Sequence, residues 1–223
     1  MDYQKLSRSP LFAGLSAEII MNLLEKVSFK IKKYKKDSLI AQAGEEVTSM
    51  LLVLDGVAKG EMTDYSGRVI KIEDIPSPGA LAAAFIFGNT NKYPVNVFAV
   101  TDVELFSLTK SEFLKLMMNN DRVLLNFLNM ISNRSQFLSN KIKFLNFKTI
   151  KGKLAHFILQ KSGATGSLVL MEMTQNDLAD LFGVARPSVA RAIGEMEEEG
   201  LVEAKGKKIR ILDREKLAGL TLD

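Results

Sequence analysis

Two short helices joined by a tight turn are predicted between residues 174 and 196, and this pair constrains the fold more than any other part of the chain. Thr174 can cap the first helix, with Asp177 three residues later as its capping-box partner. Gly183 stands where that helix must stop, a place that favours positive φ. Pro187 is tolerated only in the first turn of a helix, so the second helix should begin one residue before it. The pattern indicates a helix-turn-helix, with an ordinary helical hairpin as the alternative.

The second predicted helix presents two arginines on its outward side. Val189, Ile193 and Met196 are spaced so that they face inward, which leaves Arg186 and Arg191 outward. Guanidinium groups near the N-terminal half of such a helix suit bidentate recognition of guanine O6 and N7 in a DNA major groove. We therefore expect this helix to read DNA, whereas in an ordinary hairpin the arginines would only be solvated.

The segment that follows strengthens the DNA-binding interpretation. Two β-rich runs flank Lys205-Gly206-Lys207 within residues 201–212, which is a hairpin signal. A helix-turn-helix followed directly by a basic hairpin is typical of a winged helix. Basic and acidic residues nearly balance from residue 146 onward, so DNA binding should depend on a few well-placed cations rather than on overall charge.

Composition excludes several classes of protein. The chain has 223 residues, a formal net charge of +4, no cysteine and one histidine. Without cysteine there are no disulfides, thiolate–zinc sites or cysteine-ligated iron–sulfur clusters. A metalloenzyme would need clustered histidine and acidic ligands, and no nucleophile–base pair or phosphate-binding glycine loop appears, so we expect no enzyme, no catalytic residue and no metal site. The chain lacks a membrane-length apolar run and a signal-peptide-like start, which predicts a cytoplasmic protein without a membrane partner.

The first half of the chain predicts a β-roll. A short helix over residues 17–27, capped by Ser16, comes first, and its inward side chains are expected to be Ile19, Ile20, Leu23 and Leu24. Short β-rich runs separated by turn residues then occupy residues 29–31, 39–41, 50–54, 57–61, 69–75, 95–100 and 104–108. Strands of this number and spacing predict a β-roll or jelly-roll barrel.

Helical patterns resume at about Ser111 and include a long apolar seam. Steps of four and three connect its members, Leu124, Leu128, Ile131, Ser135, Leu138, Ile142 and Leu145. Such a stripe predicts a two-fold coiled coil, and the alternative is that it packs on the chain's own barrel. A homodimer also suits paired recognition helices that reach half-sites one DNA turn apart. A hinge at 144–147 and a further helix over residues 148–160 complete the pattern.

These elements predict an α+β protein in three parts. A β-roll sensor domain covers residues 1–118, and a dimerisation helix with its hinge covers residues 119–147. A winged helix-turn-helix domain covers residues 148–223.

In this order the elements resemble the CRP/FNR family of bacterial transcription regulators. The matching stretches are LIAQAGEEVTSMLLVLDGVAKGEM, with turn glycines at Gly44 and Gly56; YSGRVIKIEDIPSPG, with Gly67 and Gly79; and GVARPSVARAIGEMEEEGLV at the recognition helix. The resemblance implies a cyclic-nucleotide-binding-like sensor in which a small effector rotates the DNA-binding heads through the dimer helix. It implies palindromic double-stranded DNA as a partner, and RNA polymerase as another if the chain is an activator.

The resemblance also implies roles for individual residues. In the family, the positions of Arg186 and Arg191 read guanines, and those of Thr174 and Ser188 bind the DNA backbone. Pro187 replaces the family's usual glutamate and cannot pair with a cytosine amine. The full set of predicted DNA contacts is Arg186, Arg191, Ser188, Pro187, Ala190, Thr174, Gln175, Lys207 and Lys208.

The sensor differs from the cyclic-AMP branch of the family. That branch has Gly-Glu for the ribose hydroxyl and Arg-Ser/Thr for the phosphate, but residues 79–87 here contain no carboxylate or arginine. A buried anion would lose its charge-assisted partner, at a cost of about 1–3 kcal/mol or more, so cyclic AMP is not the expected effector. We expect a small planar or aliphatic effector in an apolar pocket, with a ligand-free packed core as the alternative. The predicted lining is Gly79, Ala80, Leu81, Ala82, Phe85, Tyr93, Val95 and Leu138, the last at a position where that branch presents a hydroxyl.

Two alternatives remain open at this point. The ARPSVAR motif and the apolar pocket resemble the nitrosative-stress regulators of the hybrid cluster protein, some of which use haem. Haem needs an axial ligand, and the only histidine, His156, follows the hinge and lies outside the β-roll. Methionines could ligate iron but mostly fill cores; the candidates are Met50, Met62, Met117, Met118 and Met130. The second alternative is an effector-sensing module whose helical C-terminal domain docks a protein partner rather than DNA.

Overall fold

The computed structural model describes residues 2–64 and 66–221, apart from the side chain of Leu145. The described chain forms two compact units that meet between Asn133 and Arg134, inside one long helix. The finer division predicted at residues 118 and 147 stays a prediction. In the described residues, no helix combines the length and the apolar character that crossing a membrane requires.

The first unit consists of a β-roll with flanking helices. Its elements are α1 (Tyr3–Ser7), a 3₁₀ helix (Pro10–Phe12), α2 (Ala17–Leu24), β1 (Phe29–Tyr34), β2 (Leu39–Ala41), β3 (Ser49–Asp55), β4 (Val57–Thr63), β5 (Val69–Pro76), β6 (Ala80–Leu81), β7 (Asn96–Ala99), β8 (Val103–Thr109) and α3 (Lys110–Met118). Two four-stranded antiparallel sheets result, in the orders β1-β8-β3-β6 and β2-β7-β4-β5. The predicted α+β architecture with an N-terminal β-roll is confirmed.

The core of the β-roll is built around the central strands of the first sheet. β3 is an almost continuous apolar run, and its residues from Met50 to Leu54 are all buried, as expected for a strand covered on both faces. Phe106 of β8 lies opposite Ile31 and Leu52 in the sheet, and its ring packs edge-on against Phe12 at 6.4 Å between centroids. The N-terminal segment therefore belongs to the same core as the sheet.

The seven predicted strand regions are all present, whereas one helix prediction is partly wrong. α2 ends at Leu24 rather than at residue 27, and Ile19, predicted to face inward, is 43% exposed. Ile20, Leu23 and Leu24 already fill the buried side of this eight-residue helix, so Ile19 lies beyond its edge. The two-residue strand β6 was not predicted.

The long helix α4 (Asp121–Leu145) belongs to both units. In the first unit its inner side buries Val123, Asn126 and Phe127, and the Asn126 amide donates to the carbonyls of Leu11 and Ala13 at 3.0 and 2.9 Å. This pair of hydrogen bonds ties the start of α4 to the N-terminal segment.

The predicted dimer seam lies mostly at the surface of α4. Leu124, Leu128, Leu138 and Ile142 are 37%, 50%, 45% and 64% exposed, Ser135 is exposed and Ile131 is half-buried. Leu145, the last predicted member of the seam, has its side chain outside the described part of the structure. Within the first unit the barrel therefore leaves Leu124 and Leu128 exposed, and the two-fold coiled coil stays a prediction.

The second unit contains the end of α4 and a winged helix. Its further elements are α5 (Ile150–Ser162), β9 (Leu168–Leu170), α6 (Gln175–Phe182), α7 (Arg186–Glu198), β10 (Val202–Lys205), β11 (Lys208–Ile211) and α8 (Arg214–Gly219), with the strands in the order β10-β11-β9. α5 begins two residues later than predicted because the Thr149 hydroxyl accepts from the Gly152 amide and caps the helix. Neither β9 nor α8 was predicted.

The predicted hinge at 144–147 starts inside the core of the second unit. Phe144 is 4% exposed, and its ring lies 4.9 Å from that of Phe182 and 6.2 Å from that of Phe147. The break between α4 and α5 falls at residues 146–149, just after this aromatic anchor.

Two turn glycines of the β-roll have the same positive φ but different surroundings, so they separate the cost of the backbone conformation from the cost of a steric clash. Gly56 and Gly67 both have φ of 82°, but a Cβ on Gly56 would collide with the carbonyl oxygen of Asp102, whereas nothing described lies within 4 Å of one on Gly67. Gly67→Ala should lower the free energy of unfolding by about 1 kcal/mol through the backbone alone. Gly56→Ala should cost at least about 2 kcal/mol more, because the strand turn must also move. Urea denaturation measures both, and equal losses would contradict this account of the turn.

Candidate nucleic-acid interface

The first helix of the helix-turn-helix, α6, is capped at its N-terminus by Thr174 and ends at Gly183. The Thr174 hydroxyl accepts from the Asp177 amide at 3.2 Å, and the Asp177 carboxylate accepts from the Thr174 amide at 2.7 Å, which completes the capping box. At the other end Gly183 has φ of 68° and ψ of 37°, the left-handed conformation that ends α6. The predicted cap and turn are both confirmed.

α7 begins at Arg186 with Pro187 in its first turn, as predicted. Val189 and Met196 are completely buried and Ile193 is half-buried, which gives α7 a well-defined inner side. Ala192, which the sequence argument did not single out, is also buried. Most outward positions are exposed, and the predicted contacts that lie there are Arg186, Pro187, Ala190 and Arg191, with Ser188 half-buried.

The two arginines of α7 are available to a ligand. Neither Arg186 nor Arg191 forms an ion pair with any described carboxylate. The acidic residues of α7 lie at its other end, where Glu195 and Glu199 bind the ammonium of Lys151 and Glu197 accepts from the Ala204 amide. Charge is therefore separated along the helix, with the free cations in its N-terminal half.

The predicted wing is a regular β-hairpin. Lys205 pairs with Lys208 across a turn in which Gly206 has φ of 60°, so the turn residues are Gly206 and Lys207. Lys207 and Lys208 are exposed and unpaired with described carboxylates, whereas Lys205 lies 2.6 Å from Glu203. β9 adds a third strand because Leu168 to Leu170 pair with β11. The two lysines predicted as wing contacts are thus the unpaired ones.

Thr174 has the capping role predicted from the sequence, and the DNA contact implied by the family resemblance stays a prediction. Its hydroxyl donates to the Asp177 carboxylate at 2.8 Å and accepts from the Asp177 amide, so its single proton is already used. A DNA phosphate at this point would compete with an adjacent carboxylate for that proton. Gln175, the first residue of α6, is half-buried beside it.

The predicted effector pocket involves residues of both units. In the first unit Leu81 is completely buried and Tyr93 is 7% exposed, and burial raises the pKa of Tyr93 to about 12. Gly79, Ala80, Ala82, Phe85 and Val95 are half-buried, with Ala82 at a positive φ of 47°. Leu138 belongs to the part of α4 in the second unit and is exposed. The pocket itself stays a prediction.

The single histidine does not supply a ligand for haem in the β-roll. His156 belongs to α5 in the second unit, where its ring lies 4.8 Å from that of Phe147 and 5.8 Å from that of Phe144. Within residues 2–64 and 66–221, no three or more histidine or acidic side chains group as metal ligands would. The residues present therefore do not fit histidine-ligated haem in the sensor.

Comparison with known proteins matches two separate regions of the chain to domain models. Residues 31–120 match the cyclic nucleotide-binding domain model, and residues 152–220 match the Crp-like helix-turn-helix domain model. The chain is 27% identical over 202 residues to a probable transcriptional regulator, flp, of Lacticaseibacillus casei, a match that covers 90% of this chain and 80% of the relative. It is 24% identical over 208 residues to the anaerobic regulatory protein of Bacillus subtilis, covering 88% and 85%.

Solved structures agree with this architecture. The catabolite activator protein of Thermus thermophilus superposes with a TM-score of 0.56 at 21% identity, covering 96% of this chain and 99% of that one, which supports the fold. A transcriptional regulator of Thermotoga maritima matches with a TM-score of 0.53 at 29% identity, covering 58% of this chain and 98% of that one.

Replacing Thr174 tests whether it caps α6 or binds DNA. Thr174→Ala should lower the free energy of unfolding by about 1 kcal/mol, because the Asp177 amide loses its acceptor. Thr174→Ser keeps the hydroxyl and should restore most of that stability. Under conditions where all three proteins are folded, their DNA affinities should agree within about twofold. A tenfold loss of affinity in a fully folded Thr174→Ala protein would show that the hydroxyl binds the DNA backbone.

Proposed function

The chain belongs to the CRP/FNR family of transcription regulators, and on that premise we propose that it binds a palindromic DNA site as a homodimer. It is a DNA-binding regulator with an effector-binding domain, and its relatives are regulators rather than enzymes. The Crp-like helix-turn-helix match favours DNA over the alternative of a protein-docking C-terminal domain.

One observation carries the assignment of α7 as the reading helix. Arg186 and Arg191 are exposed, pair with no described carboxylate, and lie in the half of α7 that contains no acidic residue. An unpaired guanidinium offers two parallel donors to guanine O6 and N7, and each such contact distinguishes bases by about 1–3 kcal/mol. Pro187 offers no donor or acceptor from its side chain, so the base pair beside it is read by shape and apolar contact.

Backbone contacts are assigned to the wing and to the start of α7. Lys207 and Lys208 are exposed ammonium groups on a rigid hairpin, which suits ion pairing with phosphates. Ser188 is half-buried in the first turn of α7, where its amide donates to the Ala185 carbonyl at 2.9 Å and Pro187 has no amide hydrogen, so the Ser188 hydroxyl is the group offered to a phosphate. Since charge in this part of the chain nearly balances, these few groups set the electrostatic part of binding.

The homodimer is supported by the exposed seam of α4. Leu128 and Ile142 are 50% and 64% exposed on one stripe of a 25-residue helix. Exposed leucine and isoleucine at heptad spacing are stabilised by a second copy of the same stripe, which buries both. Two chains joined in this way would present two reading helices to successive half-sites of one DNA duplex.

The effector is proposed to be small and uncharged. The run from Gly79 to Phe87 contains no side chain that could neutralise a cyclic phosphate, and Leu81 and Ile86 within it are completely buried apolar residues. Apolar lining favours a planar or aliphatic ligand. RNA polymerase is a further partner if the protein activates transcription.

Substitutions in α7 and in the wing should have different signatures. Arg186→Ala and Arg191→Ala should each weaken binding to the preferred site by about 1–3 kcal/mol per half-site and relax the preference at one base pair. Lys207→Ala should weaken all sequences alike and reduce the slope of log affinity against log salt by about 1. Fluorescence anisotropy over a salt series, with specific and scrambled duplexes, measures these effects. If Arg186→Ala and Arg191→Ala weakened both duplexes equally, α7 would not be the reading helix.

A further inference from the structure

α5 supplies a buried cation to the turn of the helix-turn-helix. Lys153 is only 8% exposed, and its Nζ donates to the carbonyl oxygen of Phe182 at 2.9 Å. Phe182 is the last residue of α6 and directly precedes the left-handed Gly183. The last carbonyls of a helix lack partners within the helix and carry the negative end of its dipole, so an ammonium group is favourable at this point.

Burial makes Lys153 costly compared with an apolar residue of the same size. No described carboxylate pairs with it, and its ammonium group, which is taken out of water, donates to a neutral carbonyl instead. Methionine would occupy a similar volume without that desolvation. The interaction that lysine gains in return is directional, because it holds one particular carbonyl of α6 at a set distance from α5.

A second lysine of α5, Lys151, binds the C-terminal end of α7, the helix proposed to read DNA. Lys151 Nζ lies 2.7 Å from Glu199 Oε1 and 2.9 Å from Glu195 Oε2, at the C-terminal end of α7. Its hydrogen bonds to Glu199 and Glu195 raise the pKa of Lys151. Two carboxylates oppose the dipole at a helix C-terminus, and Lys151 offsets that repulsion while it joins α7 to α5.

We propose that Lys153 and Lys151 are positioning residues that set the angle at which α7 presents its arginines to DNA. Lys153 holds the end of α6, and thereby the three-residue turn from which α7 starts, while Lys151 holds the far end of α7. The inference rests on the proposed reading of DNA by α7. It adds that sequence discrimination depends on two side chains of α5 that are not among the predicted DNA contacts.

Phe182 also connects this arrangement to the end of α4. Its carbonyl binds Lys153, and its ring lies 4.9 Å from Phe144 of α4 and 6.4 Å from Phe157 of α5. A displacement of the last turn of α4 would therefore act on the residue whose carbonyl Lys153 holds. Within the second unit, Phe182 of α6 thus contacts both α4 and α5.

The test compares three lysines of the same helix in the full-length protein. Lys153→Met and Lys151→Met remove the two contacts, and Lys161→Met is the control, because it removes the same charge from an exposed pair with Glu172. Anisotropy with specific and scrambled duplexes gives the discrimination ratio of each variant. Lys153→Met and Lys151→Met should lower that ratio about tenfold with little change on the scrambled duplex, whereas Lys161→Met should leave it unchanged.

Double mutants separate positioning from a merely structural role. In an Arg186→Ala background, Lys153→Met should lower the discrimination ratio much less than in the native protein. The reason is that the arginine whose position Lys153 controls has already been removed. Combined with Lys207→Ala, the two losses should add. Equal losses on both duplexes, or full additivity with Arg186→Ala, would overturn the inference.

The remaining outcomes separate a folding defect, a failure of the α7 assignment and a failure of the positioning role. Thermal melts identify a variant that fails to fold. If Lys153→Met fails to fold, the Lys151→Met variant tests the inference instead, because Lys151 is partly exposed and its replacement leaves no buried cavity. An unchanged discrimination ratio in folded Lys151→Met would then overturn the inference. If Arg186→Ala and Arg191→Ala themselves leave discrimination intact, the assignment of α7 fails, and the positioning role fails with it. If the arginines matter and the two lysines do not, only the positioning role is wrong.

Discussion

The left-handed turn at Gly183 is the constraint on which the rest of the DNA-binding unit depends. It ends α6 within one residue, so that α7 can start at Arg186 after a turn of only three residues. The capping box at Thr174 sets where α6 begins, and the buried side of α7 sets how it packs. With the start of each helix set in this way, Arg186 and Arg191 lie on the exposed side of α7, opposite its buried residues.

Charge placement, rather than total charge, accounts for how a nearly neutral domain can bind a polyanion. Carboxylates lie at the C-terminal end of α7, where Lys151 binds Glu195 and Glu199, while Glu203 is paired with Lys205 in the wing. No carboxylate in the described part of the chain pairs with Arg186, Arg191, Lys207 or Lys208. On the proposed reading of DNA by α7, counterion release from a few phosphate contacts would contribute affinity, and guanidinium groups would add discrimination between bases.

Much of the fold could be predicted because its signals are local. The capping box, Gly183, Pro187 and the wing turn each act within a few residues, and apolar runs located all seven strand regions. Features that depend on distant partners were missed. β9 forms because Leu168 to Leu170 pair with β11, which lies about forty residues later in the chain. The strand β6 has only two residues, too few to show a periodic pattern in the sequence. Lys153 looked like an ordinary helix residue, since its acceptor lies 29 positions away.

Selection of bound duplexes from random DNA tests the central claim most directly, since it asks whether two identical reading helices act together. Full-length protein should enrich a two-fold symmetric sequence whose half-sites contain guanines and are centred about 10 base pairs apart, one helical turn. The same selection with a Leu128→Glu, Ile142→Glu protein should yield at most single half-sites, because charges interrupt the seam of α4. Enrichment of an asymmetric sequence, or of none, by the native chain would contradict the account.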